Sequence, residues 1–140
     1  MKKIILIIVS LFLIIFLIDF IILNIEKFEM DAYVVENEAG FNLDSDKIHF
    51  GNVPVGSGGA FREMSVTNVY DEKVKIYLID FGNIDEQVYF EIDGGSYESY
   101  GFILDVNETK NFRLIFRNED TLVGDYYSGT LRIVTQKLII

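Results

Sequence analysis

The 140-residue chain has no cysteine and no tryptophan, a single proline and a single histidine. The missing cysteines exclude disulfides and thiolate metal sites. A small exported domain of this composition must therefore rely on its core. With one histidine, His49, the chain lacks the further ligands that a zinc site or a catalytic triad needs. His49 lies between Ile48 and Phe50, on the opposite face of an expected strand, and reads as a structural surface residue. Basic residues are also scarce. From Asp19 onward, ten lysines and arginines stand against twenty-two acids, a net charge of −12. Nucleic acid and anionic lipid both need basic patches, so neither is an expected partner.

What is abundant is concentrated at the N-terminus. Ile4 to Leu23 reads IILIIVSLFLIIFLIDFIIL, interrupted only by Ser10 and Asp19. Twenty helical residues rise about 30 Å, the thickness of a bilayer's hydrocarbon core. The expectation is an uncleaved transmembrane helix over 4–23. A cleaved signal would have a shorter apolar run and a small-residue cutting site, and the positions before Ala32 and Ala39 are Met30 and Asn37 two residues back. Lys2 and Lys3 place residues 1–3 in the cytoplasm and the remainder outside. Asp19 is an intramembrane acid, a functional candidate by type, though its place near the outer end fits a carboxylate reaching water. No small-xxx-small face specifies helix pairing.

Residues 24–39 read as a polar stalk with a first short strand at Tyr33-Val34-Val35. Beyond it the period is two. Met64 and Val66, then Val74, Ile76 and Leu78, then Val88, Phe90 and Ile92 each alternate with polar neighbours. Tyr100, Phe102 and Leu104, then Phe112, Leu114 and Phe116, then Gly129, Leu131 and Ile133 repeat the pattern. Gly51, Pro54 and Gly56 imply a bent edge strand. Short strands spaced near ten residues apart point to an all-β, antiparallel sandwich of about seven or eight strands over 40–136, with a tail at 137–140.

Few groups offer chemistry. Asp44-Ser45-Asp46 alternates oxygens and Glu119-Asp120 with Asp125 makes a second acidic cluster, but both lack the spacing of a calcium loop and read as solvated acids. Gly56 to Gly59 lies between strands, whereas a phosphate cradle needs a helix N-terminus. Arg113, Arg117 and Arg132 are expected to pair across strands with Glu63 or Glu91. Asn107-Glu108-Thr109 is an N-glycosylation sequon in an expected external loop. No catalytic, metal or cofactor-binding residue stands out, and no small-molecule substrate is implied.

The segments IHFGNVPVG (48–56), REMSVTNV (62–69), FILDVNETKNFRLIF (102–116) and GDYYSGTLRI (124–133) resemble the immunoglobulin-like domains of the ASPM/SPD-2/hydin group and the choice-of-anchor repeats of prokaryotic surface proteins. The resemblance covers about residues 40–135 and implies an immunoglobulin-like fold without a catalytic motif. The chain departs from the pattern at Asn118, where proline is common. GFNLDSDKIHFG, following an N-terminal span, is similar in layout to small archaeal single-span proteins. The expected function is a non-enzymatic, membrane-integral contact domain at the cell envelope, binding a protein partner or itself. The alternative is an accessory, stator-like component of an archaeal surface filament or motor. Pilins place an acid early in the apolar helix and carry a processing site, which this chain does not.

Overall fold

Period-two alternation dominates the architecture. The structure, a computed structural model, describes residues 2–36, 47–119 and 123–138, with the backbone alone at Lys2 and at 17–20. One helix, α1 (Lys2–Ile21), precedes nine strands among the described residues. They are β1 (Ile22–Val35), β2 (Ile48–Pro54), β3 (Ala60–Thr67), β4 (Val74–Gly82), β5 (Val88–Ile92), β6 (Gly95–Tyr97), β7 (Tyr100–Leu104), β8 (Thr109–Phe116) and β9 (Tyr126–Lys137). A five-stranded sheet A, ordered β2-β1-β9-β4-β7, faces a four-stranded sheet B, ordered β3-β8-β5-β6.

The core lies between the sheets and contains the alternating residues expected of it. Val74, Ile76 and Leu78 of β4 meet Val88, Phe90 and Ile92 of β5, with Leu114 and Phe116 of β8 and Leu131 and Ile133 of β9. Aromatic rings link the layers, with Phe50 and Phe116 centroids 5.7 Å apart and Phe116 edge-on to Tyr127 at 5.4 Å. Gly129 is required where β9 passes β4, because a Cβ there would lie 2.2 Å from the carbonyl oxygen of Phe81.

Several expectations need correction. The stalk expected over 24–39 is strand from Ile22, so the sandwich begins there and not at residue 40. Phe28, Met30, Ala32 and Val34 point inward and join or pack on the core, while Lys27, Glu29 and Asp31 point outward. The bounds of the apolar helix expected over 4–23 shift with it. The helix ends at Ile21, and Ile22 and Leu23 belong to β1. Among the described residues, no helix is long and apolar enough to cross a membrane. Side chains of α1 are described for residues 3–16 and for Ile21. The expected tail at 137–140 loses Lys137 to β9, and Ile139 and Ile140 lie outside the described residues.

Pairing is antiparallel throughout except at one edge. β2 runs parallel to β1, with Met30 opposite Ile48 and Val34 opposite Val53. The register slips between Asp31 and Tyr33, because β2 spends one extra residue there around Gly51, whose φ is 76°. This bulge is the bend expected from the glycines and Pro54. β2 is an edge strand, as expected, and Arg62 of β3 closes the open side by donating from Nε to the His49 carbonyl.

Candidate interaction surface

The sandwich has two outer faces, and they differ in chemistry. On sheet B, outward-facing Arg113 lies across from Glu63 on β3 and Glu91 on β5, at 3.1 and 3.7 Å. It also stacks over Phe61, and Arg117 stacks over Tyr89 while donating to the Ser96 hydroxyl. The expected pairing of Arg113 with Glu63 and Glu91 is therefore present. Arg117 and Arg132 instead cover aromatic rings, Arg132 lying 4.6 Å over Phe81. An open groove of about 550 Å³ on this face is lined by Glu63, Ser65, Glu91, Asp93 and Arg113. Exposed ion pairs of this kind stabilise by at most about 1 kcal/mol each, and they describe a solvated face.

The outer face of sheet A carries the apolar surface. Cross-strand register puts Ile25, Val134 and Tyr77 in one row, Lys27, Arg132 and Ile79 in the next, and Glu29, Thr130 and Phe81 in a third. Tyr33 lies opposite Tyr126 at the far end. Ile25, Tyr33, Phe81, Ile103 and Tyr126 are all exposed. Aromatic residues and arginine on this face match the composition of protein interfaces better than that of a solvated face.

The remaining candidates fall as follows. His49 is buried, and its Nδ1 lies 2.7 Å from Oδ1 of Asp31, its partner in the parallel β1–β2 register. It is not the surface residue expected, because β1 supplies a carboxylate eighteen positions away in sequence. Asp19 belongs to the backbone-only stretch of α1, and its side chain lies outside the described residues. Asn107 is exposed in the β7–β8 turn with φ 62°, a left-handed conformation that asparagine tolerates. Its N–H donates to the Asn68 carbonyl, and the Thr109 hydroxyl of the same sequon lies 2.8 Å from that of Thr67. Asp44-Ser45-Asp46 and Asp120 lie outside the described residues, and no cluster able to hold a metal occurs among the described ones.

Three polar residues whose roles the sequence does not reveal lie toward the two ends. Asn68, 1 % exposed, donates through Nδ2 to the carbonyls of Glu72 and Asp105 at 2.8 and 3.0 Å and accepts from the Tyr70 N–H. It ties the β3–β4 and β7–β8 loops together, which gives Asn68 of the segment REMSVTNV (62–69) its physical role. Asn118 does the same at the opposite end by donating to the Pro54 carbonyl. A proline at that position has no side-chain donor, so the departure from the pattern supplies a tether. Asp80 continues the inward face of β4 beyond Leu78, and its Oδ2 is buried without a hydrogen-bond partner among the described residues. Burial pushes its carboxyl up to about 6, with the charges of Asp85 and Glu98 adding to the effect.

No family model matches the chain, and no curated protein matches it.

Proposed function

We propose that the chain is a membrane-anchored, non-enzymatic contact protein, with its N-terminus in the cytoplasm and its sandwich outside. One observation carries the reading. Helix α1 is apolar around its whole circumference, its large side chains from Ile4 to Phe16 are 49–72 % exposed, and it runs directly into β1, an interior strand of sheet A. A helix that is hydrophobic all round is covered in its working state by protein or lipid. The twenty residues from Lys2 to Ile21 rise about 30 Å, which fits a bilayer. Orientation rests on Lys2 and Lys3.

Strand arrangement supports an immunoglobulin-like domain of the kind the sequence resembles. β3-β8-β5 corresponds in order to strands B, E and D of that fold, and β4-β9-β1 to C, F and G. The place of the last strand is taken by the first strand of this chain. Cleavage near Ala32 would therefore remove a core strand, which favours retention of the N-terminal segment.

Contact is made through the outer face of sheet A, with an envelope protein or a second copy as partner. The test is crosslinking in intact cells followed by capture of the full-length chain. Phe81→Asp with Tyr126→Asp is expected to lower recovery of the crosslinked species several-fold while leaving the circular dichroism spectrum unchanged. Recovery of monomer alone from the unmodified chain contradicts the reading.

A further inference from the structure

The strand directions sort every loop of the sandwich to one of two ends. β1 starts at Ile22, where α1 stops, and the register runs from Ile22 to Gln136 on β9, to Lys75 on β4 and to Ile103 on β7. At about 4.8 Å between strands, this row spans about 14 Å across the sheet. The loops that extend past it on the helix side are 68–73, between β3 and β4, and 105–108, between β7 and β8. Each carries an apolar residue at its tip, Val69 at 79 % and Val106 at 45 % exposure. Neither valine belongs to the core.

The charges at this end are arranged to match. Lys73 lies 2.6 Å from Asp105, Lys110 2.5 Å from Asp93, and Lys137 3.0 Å from Glu72. Hydrogen bonding to Asp105 and Asp93 holds the Lys73 and Lys110 ammonium groups above their ordinary range. Three acids of this end, Asp105, Asp93 and Glu72, are thus each paired with a lysine. Asn68 fixes both loops to each other, so the two valines move as one rigid edge.

We infer that this end of the sandwich rests on the lipid surface, with Val69 and Val106 inserted at headgroup depth beside the emerging helix. The inference rests on the anchor reading above and adds a defined orientation. No residue separates Ile21 of the helix from Ile22 of the strand, so an anchored α1 holds the row containing Ile22 at the membrane boundary. Apolar tips beside lysines are the side-chain chemistry that interfaces favour.

The absence of cysteine makes site-specific labelling direct. Nitroxide labels are placed on full-length protein in phosphatidylcholine vesicles at V69C, V106C, V55C and F12C, and relaxation by oxygen and by a water-soluble nickel complex is measured. Val55 lies in the loop after β2 at the far end of the sandwich and reports bulk water. Labels at 69 and 106 are expected to lose nickel accessibility several-fold relative to 55, with the label at 12 shielded further. If 12 is shielded but 69 and 106 match 55, the docked orientation is wrong and the anchor stands. If 12 matches 55, the anchor reading fails and the inference with it.

Discussion

At the helix-side end of the sandwich three acids, Glu72, Asp93 and Asp105, lie beside lysines, whereas the far end gathers acids around a single arginine. Glu36, Asp85, Glu86, Glu119 and Asp125 occupy the far loops, where Arg117 is the one basic residue among the described positions. Each end is closed by a buried asparagine. Asn68 holds carbonyls of two loops, and Asn118 donates to the Pro54 carbonyl. The far end also buries Asp80 with an oxygen that has no partner among the described residues. The same strands thus run from an edge carrying three lysine–carboxylate pairs to one whose loops are mainly acidic. Stability is spent at the end away from the helix, which faces solvent and partners if α1 is the anchor.

The largest test of this contrast concerns the strand that connects helix to sandwich. β1 pairs with β9 over eleven positions and brings Met30, Ala32 and Val34 into the core. Burial of side chains such as Met and Val is worth roughly 1.5–3 kcal/mol each, so losing β1 removes a large part of a domain's ~5–15 kcal/mol. A chain lacking residues 1–35 is expected to show no cooperative thermal unfolding, while one lacking residues 1–21 unfolds cooperatively.

Next come the two asparagines. Asn68→Ala leaves the Glu72 and Asp105 carbonyls without their donor at a buried site and should cost about 2–3 kcal/mol in urea unfolding. Asn118→Ala, which removes the donor to the Pro54 carbonyl, should cost less, about 1–2 kcal/mol. Equal losses would erase the distinction between the ends.

Asp80 gives a smaller, pH-dependent effect. Its folded pKa of about 6 lies above the ~3.9 of an unfolded aspartate, so the folded state binds the proton more tightly. Its favourable contribution is fully present below about pH 4 and is lost as pH rises through about 6. Asp80→Asn should stabilise the protein by about 1 kcal/mol at pH 7.5, allowing for solvent screening at this half-exposed site, and this gain should vanish near pH 4. A Tm difference that is independent of pH contradicts the assignment. The smallest effect is expected on the solvated face of sheet B, where Glu63→Gln should change stability by less than about 0.5 kcal/mol.

Much of the sandwich is legible in the sequence, since Val74-Ile76-Leu78 or Phe112-Leu114-Phe116 can bury one face only as strands. The strand β1 is written in the same alternation, Phe28, Met30, Ala32 and Val34. There the charges of Glu26, Lys27, Glu29 and Asp31, next to an apolar helix, mimic a polar stalk. Long-range pairing is what local pattern cannot supply. His49 is buried because a parallel neighbour and the bulge at Gly51 bring Asp31 beside it. Asn68 and Asn118 look like ordinary turn residues until the loops that they tie are placed around them. The outer face of sheet A likewise emerges only from the order of five strands, which sets Ile25, Tyr77 and Phe81 on one surface.

The central claim is that α1 holds this sandwich at a membrane. Alkaline carbonate extraction of membranes from cells producing the full chain tests it most directly. The account predicts that the intact chain stays in the membrane pellet and is released only by detergent. Recovery of the intact chain in the carbonate supernatant contradicts it.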